Sequence, residues 1–207
     1  KQNNMKKQLF LTAFFIMMAF SSCKIVGTLH PLSENKNDFL FKKELIGKWE
    51  DEKDSSGYYY IDTVEGNGGK LYRAGIINHE KEKKDAPDTT WFLVQLIKIS
   101  GWYFLDCRTD MQSMFPAKEK DYSDWLVAKH FFCRLGFDGP DKIEIAFPDP
   151  DEIIKLIGEK KLRLDYFLLK KDDYLILNKS KELQSVLTES QKYPGLYKKK
   201  DVVIRVK

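Results

Sequence analysis

Nine short runs rich in β-branched and aromatic residues follow one another along this chain, and no proline falls inside any of them. They span 58–63, 70–78, 90–99, 102–108, 127–135, 142–147, 162–169, 174–178 and 202–206, while the prolines stand at 31, 87, 116, 140, 148, 150 and 194. Proline cannot donate to a β-ladder, so this partition is what a series of paired strands requires. Turn-forming residues sit between the runs: Gly66, Asn67, Gly68 and Gly69 before the second, Ser100-Gly101 between the third and fourth, and 170–173 late in the chain. Two segments break the pattern with helical spacing. Asp149-Pro150-Asp151-Glu152 suits a helix start, with Ile153, Ile154 and Ile157 as its apolar face. Ser180 is placed to cap a second helix through about 190, with Leu183, Val186 and Leu187 along one side. The expected fold is mainly β: an antiparallel sheet closed into a barrel, because closure removes exposed edges, with two short helices. Gly75 inside a run fits a bend or bulge at a barrel corner. Alternation is blurred at 91–99, which is apolar on both faces except at Gln95 and Lys98, and 110–125 has no period and reads as a loop over one end of the sheet.

The amino-terminal region carries a different signal. Lys6-Lys7 precede a run from 9 to 20 in which only Thr12 is polar. A helix needs roughly 20 apolar residues to span a bilayer, whereas the apolar part of a signal peptide takes about 7–15, so length favours export. The segment Phe20-Ser21-Ser22-Cys23 then resembles the lipobox of bacterial lipoproteins. That resemblance implies removal of residues 1–22, acyl chains on Cys23 and a membrane as partner. Acyl chains contribute about 0.8 kcal/mol per buried methylene, so several make a stable anchor. Lys24 stands where an aspartate is the familiar signal for inner-membrane retention, so the resemblance points to the outer membrane. Residues 23–37 are expected to form the lipidated cysteine and a flexible tether, and 38–207 the barrel domain.

Without residues 1–22 the formal net charge falls from +4 to +1, since Lys1, Lys6 and Lys7 leave and no acid does. A nearly balanced chain offers no electrostatic reason for a nucleic-acid partner. Besides Cys23 the cysteines are Cys107 and Cys133, in two expected strands that permit either a bridge or buried thiols.

Leu45-Ile46-Gly47-Lys48-Trp49, at the start of a strand series, resembles the lipocalin signature Gly-x-Trp. By that resemblance Gly47 lets the chain turn in close, Trp49 plugs the closed base of the barrel, 38–44 forms a short helical turn, and Arg205 is the candidate for the arginine that covers the tryptophan. The exported part as a whole resembles uncharacterised lipocalin-like (calycin) lipoproteins of bacteria, whose lead-in segment is matched by His30-Pro31-Leu32.

Chemistry is sparse. The histidines are His30, His79 and His130, none beside a nucleophile motif, and neither His-x-x-His nor Cys-x-x-Cys occurs. No catalytic residue, metal site or cofactor is therefore expected, nor an enzyme. Aromatics cluster on neighbouring expected strands, and alternation along a strand turns part of each set inward. Tyr59, Tyr72, Trp91, Trp102 and His130 are the candidates for facing a small apolar or aromatic ligand in the barrel. The alternative is an interaction module that holds an envelope protein, or inhibits a foreign enzyme, through rim loops such as 110–125.

Overall fold

The computed structural model of the chain describes residues 26–54, 56–64, 71–78, 90–110, 129–170 and 173–206. Within them the Gly-x-Trp segment forms β3 (Gly47–Asp51), and expected runs form β4 (Gly57–Thr63), β5 (Tyr72–Asn78), β6 (Thr90–Ile99), β7 (Trp102–Thr109), β8 (His130–Phe137) and β9 (Lys142–Ala146), each pairing with its sequence neighbours. The last strand, β12 (Asp201–Arg205), inserts antiparallel between β3 and β9, with Arg205 opposite Trp49 and Val203 opposite Ile143. β8 also pairs with β9, which closes an eight-stranded antiparallel β-barrel. The turn from β6 to β7 is a two-residue hairpin in which Ser100 (φ 49°) and Gly101 (φ 89°) both take positive φ, the geometry whose twist matches the flanking strands.

Cross-strand partners share a face, so the register fixes what points inward. One row runs Trp49, Tyr59, Ile76 and Thr90; another runs Tyr72, Val94, Cys107 and Phe131. The inward residues Trp49, Tyr72, Val94, Leu96, Leu105, Cys133, Leu135, Ile143 and Val203 form one buried core.

A second core lies on the outer wall. Ile97, Ile99, Phe104, Phe132 and Ala146 point outward from β6 to β9 and are buried by α1 (Pro150–Gly158), α2 (Ser180–Ser190) and the amino-terminal segment. Strands covered on both faces have no polar side, which is why 91–99 shows no clean alternation. Asp149 caps α1 by accepting the N–H groups of Asp151 and Glu152, and Ile153 and Leu156 bury its inner face. The N-cap of α2 falls one residue earlier than expected: it is Lys179, whose N–H donates to Glu182, and Ser180 is the first helical residue.

The expectation of a flexible tether over 23–37 is corrected for its described part. Val26–Thr28 is a buried strand, β1, parallel to β11 (Asp173–Ile176) and antiparallel to β8 at Thr28 and His130, and Leu32 is 1% exposed. Three residues are too few to show a period, but β-branched Val26 and Thr28 fit a strand buried on both sides. The next stretch, expected as one helical turn, is two 3-10 turns, Lys36–Asp38 and Lys43–Leu45, around strand β2 (Phe39–Leu40), which pairs with β6. Strand β10 (Tyr166–Lys170) begins later than expected and pairs with β11. Gly75 shows no bulge; it sits in unbroken register between Tyr60 and Trp91. The 65–69 turn, His79 and Cys23 lie outside the described residues.

Candidate functional site: base and mouth of the barrel

At one end the chain crosses the barrel before β3 and seals it. Trp49, 1% exposed, donates its indole N–H to the Leu45 carbonyl at 2.9 Å. The Arg205 guanidinium lies over the indole, 4.3 Å from the ring centroid, and donates to the carbonyls of Ile46, Glu44 and Pro140. Asp141 pairs with Arg205 Nε at 3.0 Å. Gly47 has φ of +132°, where a side chain is strained, and a Cβ there would stand 2.7 Å from Arg205 Nη1, so glycine suits the backbone and leaves the guanidinium its place. Tyr72 completes the seal: its hydroxyl accepts the Lys42 N–H at 2.6 Å and donates to the Lys42 carbonyl at 3.3 Å. The Lys42 ammonium sits over the rings of Tyr103 and Phe137 at 5.0 and 4.7 Å. Burial pushes the Tyr72 phenol up; the Lys42 N–H opposes this in part.

The opposite end is a mouth. Ile76 and Tyr59 point into the barrel by register, yet they are 49% and 38% exposed. Phe92, Cys107, Phe131 and Ile145 point the same way and are only partly buried. Phe92, Cys107 and Ile145 pack against the filled half of the core, so the apolar exposure at this end is carried by Ile76 and Tyr59. Asp51 and Asp201 share the rim, and burial together with these carboxylates and Asp54 raises the Tyr59 phenol. Cys107 and Cys133 carry free thiols: desolvation pushes Cys133 up to about 12 and Cys107 well above its ordinary value.

Of the aromatic candidates, the structure brings only Tyr59 and Tyr72 inward, and at different ends. Trp91, Trp102 and His130 are corrected to the outer wall, because β6, β7 and β8 meet in a register that turns Phe92, Tyr103 and Phe131 inward instead. Trp91 carries the Arg73 guanidinium at 4.3 Å, and Trp102 packs edge-on to Tyr197 with Arg134 over its ring. Beyond Asp110 the expected rim loop lies outside the described residues.

His130 instead belongs to a polar contact that sequence reasoning missed. Its Nδ1 is 2.7 Å from Oδ1 of Asp106, which is 2% exposed, while Oδ2 accepts the Leu32 N–H at 2.6 Å. An acid amid Phe104, Leu105 and Cys107 was the available signal, since such a group is buried only with partners. The pair clamps the amino-terminal segment to the barrel wall.

Among the described residues no three His, Cys, Asp or Glu side chains gather as a metal ion would need, and no helix is long and apolar enough to cross a membrane. A void of about 20 Å³ between α1, α2 and β8 is lined by Phe132, Ile153, Leu183 and Leu187, holds about one water-sized sphere, and is no ligand site. Comparison with protein-family models, curated proteins and solved structures gave no match to this chain.

Proposed function

We propose that the protein is a lipocalin-like lipoprotein of the bacterial envelope, held to the outer membrane by acyl chains on Cys23, whose barrel takes a small apolar or aromatic molecule at its mouth. The observation that carries the ligand is the exposure of inward-pointing Ile76 and Tyr59 above a packed base. Water over exposed apolar side chains is readily displaced by an apolar ring, and Tyr59 supplies a flat face and a hydroxyl. The packed half, with Leu96 fully buried and Leu105 and Val203 nearly so, limits the ligand to the mouth. Gly47, Trp49 and Arg205 support the lipocalin-like reading, because the base is sealed as that family seals it.

The test is titration with a neutral naphthylamine probe whose emission rises in apolar surroundings. Binding to the parent and about tenfold weaker binding to Ile76→Glu are expected, a change of about 1.4 kcal/mol from lost contact and an added charge. An exposed site tolerates that substitution, so a folded variant that binds as the parent does refutes the mouth as the site.

A further inference from the structure

Strands β1, β11 and β10 run side by side off β8, with β10 outermost. Among the described residues β10 pairs only with β11, so it is a sheet edge. Its residues Tyr166, Phe167, Leu168 and Leu169 are 43%, 59%, 49% and 39% exposed. Successive side chains of a strand point to opposite faces, so this exposure is two-sided: Tyr166 and Leu168 share one face and Phe167 takes the other, while Leu169 stands where the register with β11 shifts. Soluble edges are normally blunted by charge, proline or cover, and four consecutive large apolar residues do the opposite.

The two-sided exposure selects the occupant. A protein or second copy docked on one face leaves the other in water, and strand addition at the edge covers neither. A bilayer interface surrounds both faces and the edge together. Its depth follows from the backbone: unpaired N–H and C=O groups at the edge of β10 are too costly in hydrocarbon but tolerated among headgroups, where tyrosines concentrate. Tyr166 and Tyr174 meet there edge-on at 5.8 Å.

The chain's own route brings that surface near. Cys23 lies three residues before Val26, a reach of at most about 10 Å at 3.3–3.6 Å per residue. Val26 pairs with Tyr174, and Tyr174 with Leu168, so β10 lies two strand spacings from β1, again about 10 Å. β1 is parallel to β11, so the residues upstream of it leave at the end of the sheet where β10 turns into β11.

We propose that the β10–β11 hairpin is a membrane-contact surface, seating Tyr166, Phe167, Leu168 and Leu169 in the headgroup region of the bilayer that holds the lipid on Cys23. It rests on the anchored reading of Cys23 and gives the barrel a fixed orientation on the membrane. The test uses the acylated full chain in phosphatidylethanolamine–phosphatidylglycerol vesicles, with and without brominated acyl chains. Phe167→Trp adds a tryptophan on the hairpin, and Tyr60→Trp adds one on β4, across the barrel from β8; the parent supplies the baseline of its own four tryptophans. Both substitutions keep an aromatic ring, and circular dichroism matching the parent establishes the fold. Brominated lipid should remove most of the emission added at 167 and none of that added at 60. If the chain floats with vesicles but emission at 167 persists, or is lost equally at 60, the hairpin surface is overturned while the anchor stands. A parent chain that does not float overturns the anchor and the proposal with it.

Discussion

A single methyl group at Gly47 probes the sealed base of the barrel. At φ of +132° any side chain is strained, which costs on the order of 1–3 kcal/mol. The new Cβ would also stand 2.7 Å from Arg205 Nη1, so the guanidinium must move off its place above Trp49. That movement breaks the 2.7 Å bond from Nη1 to the Ile46 carbonyl, a charge-assisted bond of about 1.5–3 kcal/mol, and weakens a stacking contact of roughly 0.5–1 kcal/mol. Arg205 keeps some access to water, its side chain being 24% exposed, so the lower part of each range applies. Gly47→Ala should therefore cost about 3–4 kcal/mol in total. Urea unfolding followed by tryptophan emission reads this as a lower midpoint at unchanged slope. The same substitution in an Arg205→Ala background should cost only the backbone part, about 1–2 kcal/mol. An equal cost in both backgrounds would refute the claim that Arg205 occupies the space above Gly47.

Asp106→Ala leaves the Leu32 N–H and the His130 ring without their acceptor. A loss of about 3 kcal/mol is expected. In hydrogen exchange the amides of 26–33 should lose protection before those of the barrel strands, and uniform loss would show that Asp106 does not clamp this segment. The thiols give a pH dependence. Folded Cys133 holds its proton to about 12 while the unfolded thiol releases it near 9.0, and Cys107 is raised likewise, so stability falls as pH rises through 9 toward 12. Between pH 9 and 10 Cys133 should remove about 1 kcal/mol, and Cys107 acts in the same direction. Cys133→Ala should remove about that 1 kcal/mol from the loss, leaving the part due to Cys107 and the raised phenols of Tyr59 and Tyr72; an unchanged slope means that Cys133 is not a buried thiol.

Much of this protein is local and was legible in its residues. β-branched and aromatic runs mark the strands, Ser100-Gly101 supplies the positive φ that a two-residue hairpin needs, Asp149 caps a helix, and Gly47 with Trp49 points to a sealed barrel end. Only tertiary structure decided which way each side chain points. A strand turns alternate residues to opposite faces, so register alone sends Tyr59 inward and Trp91, Trp102 and His130 outward, and a strand buried on both faces carries no polar mark of its parity. The burial of Val26–Thr28 was equally hidden, because three residues show no period and their partners, Tyr174 to Ile176, lie far along the chain. Composition named the apolar and aromatic side chains; pairing with strands distant in sequence divided them between a packed base, an open mouth, an outer core and an exposed edge.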